Sequence, residues 1–232
     1  MNSKIAGRVT VIAIFALVAI CGIFSATKKV PLSDKVWDER TTVGSMEAEN
    51  YFIIYTDLMC PYCVAFENAI LEHEEEFKDY IAENDILVEV KVSDFLFEYG
   101  ESKPINSRYS AEATFCARNE DKFWDYYSHA IKTIWKDYFG ASGKSAFTAM
   151  NKLDKNYWIG LGKEVGLGDS FASCVENDET LDDVIASARK TLEQIDGGMP
   201  YFKFNKYSFS GFDLSWGWDY VKLYFQKGLD NK

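Results

Sequence analysis

Positive charge is scarce in this chain. The 232 residues carry 25 Lys and Arg against 36 Asp and Glu, a net charge of −11, and the first 29 residues take four of the bases and none of the acids, so the remainder stands at 21 against 36, a net of −15. An acidic surface repels phosphates, which excludes nucleic acid as an expected partner. Histidine is scarcer still, with only His73 and His129. His73 lies in the acidic run EHEEEF and His129 in an aromatic helical stretch, so both read as structural, and no spacing brings either to a cysteine for hydrolytic catalysis. A second C-x-x-C is missing, which leaves only Cys116, Cys174 and those histidines to complete a four-ligand zinc site. No metal and no cofactor is expected. Internal repeats and low-complexity segments are absent, and 47% hydrophobic with 16% aromatic residues is a folding composition.

What is present begins with an uncharged run of 18 residues, VTVIAIFALVAICGIFSA at 9–26, preceded by Lys4 and Arg8. A run of that length reads as a signal anchor or a secretory signal. No small-x-small cleavage site follows, since Phe24 stands two places before Ala26 and Ile23 two before Ser25. An uncleaved transmembrane helix is therefore expected, with Cys21 as an apolar residue in it and the rest of the chain outside the cytoplasm.

The polar stretch 27–50, broken by Pro31 and Gly44, reads as a linker and lead-in. YFIIYTD at 51–57 suits a strand buried on both faces. From Pro61, Val64, Phe66, Ile70, Leu71, Phe77 and Ile81 recur at helical spacing, while Glu67, Glu72, Glu74, Glu75 and Glu76 are assigned to the solvent side of one long helix. ILVEVKV at 86–92 is a second strand, so strand, helix and strand form a parallel crossover. Residues 106–196 are helical in pattern. YFKFN and KYSFSGF, at 201–205 and 206–212, alternate as a hairpin, and 216–227 forms a last helix. Two strands and a helix on each side of a helical block predict one sheet whose halves meet in space.

TDLMCPYCVAF, at 56–66, places Cys60 and Cys63 at the start of the first helix. Unpaired N–H groups and the positive end of the helix dipole favour a thiolate at Cys60, which makes it the attacking sulfur and a good leaving group. Cys63, one turn inside, is shielded. Pro61 suits the first turn, where a missing N–H costs nothing. Tyr62 can offer a hydroxyl or a stacking face but no positive charge. Asp57 reads as a surface or capping residue. Cys116 and Cys174 are either partners in a disulfide or two buried thiols.

FIIYTDLMCPYC, AEATFCARNEDKFWDYYSHAI, GLGDSFASCVEN and GGMPYFKFN occur in this order between about 51 and 212. Together they resemble the DsbA family of thiol–disulfide oxidoreductases, α/β proteins with a thioredoxin fold and an inserted helical domain. The resemblance implies that Cys60 is the nucleophile, Cys63 the resolving cysteine and Pro200 a cis-proline facing the pair. Met199, with Pro61 and Tyr62, would then meet the substrate chain, Met199 through its backbone. Trp124 and Tyr126 are expected in the helical core. Three departures stand out: Met199 before the proline, Tyr62 where the best-studied oxidases have histidine, and Ile54 where thioredoxin-like proteins often keep an acid six residues before the first cysteine.

The expected organisation is an anchor at 1–29, a linker at 30–49, the two halves of the thioredoxin fold at 50–105 and 197–232, and the helical insertion at 106–196. The expected function is a membrane-anchored, extracytoplasmic dithiol oxidase of bacterial type. It would act as a monomer on reduced exported polypeptides and be reoxidised by a DsbB-like or VKOR-like membrane protein. The alternatives are a reductase or isomerase of the same fold, or a non-catalytic binding module or chaperone.

Overall fold

The computed structural model describes residues 37–231. The run at 9–26, and with it the expected anchor and Cys21, lies outside the described residues. Among the described residues no helix is long and apolar enough to cross a membrane.

The stretch before the first long strand is more than a spacer. From Asp38 it forms a single helical turn, Glu39–Thr41, and a two-residue strand β1, Thr42–Val43, and Ala48 is buried. Gly44, at φ 105°, makes the turn that follows. A Cβ there would lie 2.4 Å from the Ile86 carbonyl oxygen, so only glycine lets the chain pass.

The aromatic and β-branched segment forms β2, Asn50–Thr56, and ILVEVKV forms β3, Ile86–Val92. These two pair in parallel, and β1 pairs antiparallel with β3. Burial of β2 is less complete than the sequence suggests: Phe52 and Ile54 are buried, but Tyr51 and Ile53 only half so. A cavity of about 540 Å³, lined on the sheet side by Ile53, Tyr55 and Val90, leaves that second face partly uncovered.

The expected long helix is two, α1 at Pro61–Leu71 and α2 at Glu74–Glu83. The Asn68 side-chain amide donates to Glu72 (2.8 Å), the His73 N–H closes onto the Ile70 carbonyl (3.0 Å), and the chain restarts at His73 with φ −123° and ψ 37°. The break gives Glu74, Glu75 and Glu76 a helix N-terminus of their own, where negative charge is favoured; inside one continuous helix they would only repel one another.

The insertion contains α3 (Ile105–Asn119), α4 (Phe123–Ile134), a π turn at Trp135–Phe139, α5 (Lys155–Glu164), α6 (Asp169–Glu176) and α7 (Leu181–Gln194). Trp158 is fully buried and donates to Asn106 Oδ1 (2.7 Å), and the buried Tyr126 hydroxyl donates to the Trp158 carbonyl (3.3 Å). Half-buried Trp124 donates to the Thr42 carbonyl (3.1 Å), tying α4 to β1.

The chain then returns through β4 (Tyr201–Phe204), β5 (Tyr207–Ser210) and α8 (Trp218–Asp230). The sheet order is β1-β3-β2-β4-β5, with β4 antiparallel to β2 and Tyr55 opposite Tyr201. Phe52 packs on Phe225 (4.5 Å between ring centres) and Phe66 on Phe202 (4.4 Å). Such pairs add about 0.5–1.5 kcal/mol each beyond burial, and they clamp α1 and α8 to one sheet face.

Candidate active site

Past Thr56 the chain turns through three fully buried residues, Asp57, Leu58 and Met59, into α1. Asp57 caps that turn: its Oδ1 accepts from the Met59 N–H (2.8 Å), while its carbonyl accepts from the Cys60 N–H (2.9 Å). Its position corrects the surface reading, because Oδ2 also accepts from the Leu96 N–H (2.9 Å) and from Ser107 Oγ at the start of α3 (2.6 Å). Burial raises the carboxyl to about 6 against the pull of those donors. Asp57 thus fastens the active-site turn to the short helix Phe95–Glu98 after β3 and to the insertion.

Cys60 is the N-cap of α1, with extended backbone (φ −84°, ψ 111°) and Pro61 at the first helical position. No acidic residue lies in the first turn, so the positive end of the helix is unopposed there. Cys60 is 5% exposed and Cys63 fully buried, and both thiols are free, so this is the dithiol form. The Met199–Pro200 peptide is cis, and Cys60 Sγ lies 3.7 Å from the Met199 carbonyl oxygen. Pro200 is buried, its carbonyl accepting from the Gly211 N–H (2.9 Å), while Met199, Pro61 and Tyr62 are half-buried around the sulfur. The structure therefore brings Cys60, Cys63, Pro61, Tyr62, Met199 and Pro200 to one place.

Cys116 and Cys174 lie elsewhere, bonded to each other (S–S 2.01 Å) and joining α3 to α6 across 58 residues of sequence. His73 pairs with Glu76 (3.5 Å), and His129 with Glu164 (2.6 Å).

Burial pushes the Cys63 thiol well above its usual range; a hydrogen bond to Cys60 and the negative charges of Cys60 and Glu67 add to the effect. Glu67 corrects the sequence reading. It is 3% exposed, not solvated, and sits four residues after Cys63, hence on the same helical face. Burial raises its carboxyl to about 7, with Thr56 and Tyr127 drawing it back. A buried acid on α1 therefore bears on Cys63, although the sequence offers none at Ile54. The four-residue spacing from a cysteine assigned to the interior was the signal that could have found it.

A family model described as thioredoxin matches residues 37–207. The chain belongs to the thioredoxin family. Among solved structures it is similar to a thioredoxin-like oxidoreductase from Silicibacter pomeroyi DSS-3 (17% identity, 84% of this chain and 92% of that one, TM-score 0.56). It is also similar to MdbA, a thiol-disulfide oxidoreductase from Corynebacterium diphtheriae (16%, 81% and 88%, 0.56), and to the thiol-disulfide exchange protein alpha-DsbA2 from Wolbachia pipientis (15%, 82% and 86%, 0.53). No curated protein sequence matches. At these identities the likeness speaks for the fold alone, a thioredoxin fold with a helical insertion.

Proposed function

We propose that this thioredoxin-family protein is a membrane-anchored, extracytoplasmic dithiol oxidase. The observation that carries the reading is a dithiol whose outer sulfur, at an unopposed helix N-terminus, faces the backbone of a cis-proline turn while the inner sulfur is buried beside an acid. In the oxidised enzyme a substrate thiolate attacks Cys60 Sγ. The Cys60–Cys63 bond breaks, and Cys63 leaves with the electron pair and takes the proton of Glu67. A second substrate thiolate then attacks the substrate sulfur of the mixed disulfide, and Cys60 leaves as thiolate. The substrate dithiol is oxidised to a disulfide and the enzyme reduced, so the cycle needs an oxidant; a DsbB-like or VKOR-like membrane protein fits that need. The Cys116–Cys174 bond supports an oxidising compartment, and the run at 9–26 supports anchoring.

One observation favours the reductive direction. A carboxylate at Glu67 can also remove the Cys63 proton, which is what resolving a mixed disulfide by Cys63 requires. Equilibration of the protein in glutathione buffers tests the direction: a potential near about −120 mV is expected for an oxidase, and one near about −270 mV would make it a reductase. Cys60→Ser abolishes either activity, whereas a binding module would keep its function.

A further inference from the structure

Four side-chain oxygens are sealed in the interior next to Cys63. Glu67 Oε1 and Oε2 come from α1, Thr56 Oγ1 from the end of β2, and the Tyr127 hydroxyl from α4 of the insertion, which packs directly on α1. All four are inaccessible, and none has a direct hydrogen-bond partner among the described residues. Stranding that many polar atoms would cost several kcal/mol if they were far apart. They are neighbours. The hydroxyls of Thr56 and Tyr127 both favour the charged form of Glu67, and Tyr127 in turn feels the charges of Glu67 and Cys63. Groups this close and sealed from solvent have only one another to turn to when the carboxyl ionises.

We propose that Tyr127 is a positioning residue for thiol exchange: with Thr56, its hydroxyl holds the Glu67 carboxyl in place to pass a proton to and from Cys63. The inference rests on the thiol-exchange reading given above. It makes the helical insertion part of the redox centre rather than only a cover over it. When Cys63 leaves the Cys60–Cys63 bond, Glu67 gives up its proton and becomes a carboxylate, and the Tyr127 and Thr56 hydroxyls donate to the new charge. On reoxidation the proton returns from the Cys63 thiol to Glu67 as Cys63 attacks. The other groups bearing on Glu67 are Cys63 on its own helix and Asp57, whose charge disfavours ionisation. Charged residues on two other elements packed on α1, Lys136 and Asp137 on the π turn and Asp219 and Lys222 on α8, lie at or near the surface.

The test uses the full chain with carbon-13 in the glutamate carboxyls, Glu67 being assigned by its loss in Glu67→Gln. In the dithiol form, Tyr127→Phe should move the Glu67 titration midpoint upward by about one pH unit, since a donor to the charged form is lost. The rate at which glutathione thiolate reduces the Cys60–Cys63 disulfide should show its pH inflection displaced by the same amount, and Glu67→Gln should have no inflection. Thr56→Val should act in the same direction and answers the question if Tyr127→Phe folds poorly. A Glu67 midpoint unmoved in both variants overturns the proposal, as does a midpoint that moves while the rate inflection stays. A wild-type pair that does not exchange with glutathione at any pH would sink the functional reading and this inference together. Full exchange with an unmoved Glu67 removes the role of Tyr127 alone.

Discussion

The burial of Glu67 lowers stability at neutral pH. Its folded value, about 7, lies above the ordinary 4.5 of the unfolded chain. Its contribution is therefore fully present below about pH 4.5 and lost as pH rises to about 7, because over that range the folded state binds the extra proton. Glu67→Gln, in the reduced protein, should leave denaturant stability near that of wild type at pH 4 and raise it by up to about 3 kcal/mol at pH 8. Equal effects at the two pH values would mean that the carboxyl is not desolvated. Asp57 behaves differently, because three donors depend on it. Asp57→Ala should destabilise by about 3 kcal/mol, a loss of buried hydrogen bonds to a charged group, and urea unfolding at pH 7 checks it. Cys60 and Cys63 were legible because their spacing sits between a strand pattern and a helix pattern. Glu67 was not, because it was grouped by charge with the exposed glutamates instead of by helical angle with Cys63.

Among the elements, the strands and the helical block follow the periodicity of the sequence, and the single long helix does not. The apolar spacing continues through Glu72 and His73, so a pattern of faces could not register a break set by local hydrogen bonding and by acids seeking a helix N-terminus. Glycine inside helices is equally silent in sequence. Gly162 on α5 lies against Phe171 of α6, where a Cβ would come within 2.1 Å of a fully buried ring. Alanine would normally help a helix by about 1 kcal/mol, but overpacking costs about 1–3 kcal/mol. Gly162→Ala should therefore lower the thermal midpoint, whereas Gly160→Ala, with nothing within 4 Å of its Cβ, should not.

For the molecule as a whole, the pairing of β2 with β4 was foreseeable from two half-folds flanking a helical block. The state of Cys116 and Cys174 was not, since a pair of apolar helical cysteines has the same sequence whether bonded or free. Replacing both by alanine should destabilise by about 2–4 kcal/mol in denaturant titrations while leaving Cys60–Cys63 exchange with glutathione unchanged. A loss of exchange would place the bridge in the chemistry and not only in the scaffold.

The strand register also sets an order in time. A ribosome delivers the chain from its N-terminus, so the C-P-Y-C segment emerges long before Met199 and Pro200, and β2 lacks one edge until Phe204 pairs with Phe52. Until then the cysteines have no cis-proline turn across from them. The half-made chain carries Cys60 and Cys63 without the strand that brings Met199 opposite them, so the two sides of the site meet only once β4 has been delivered.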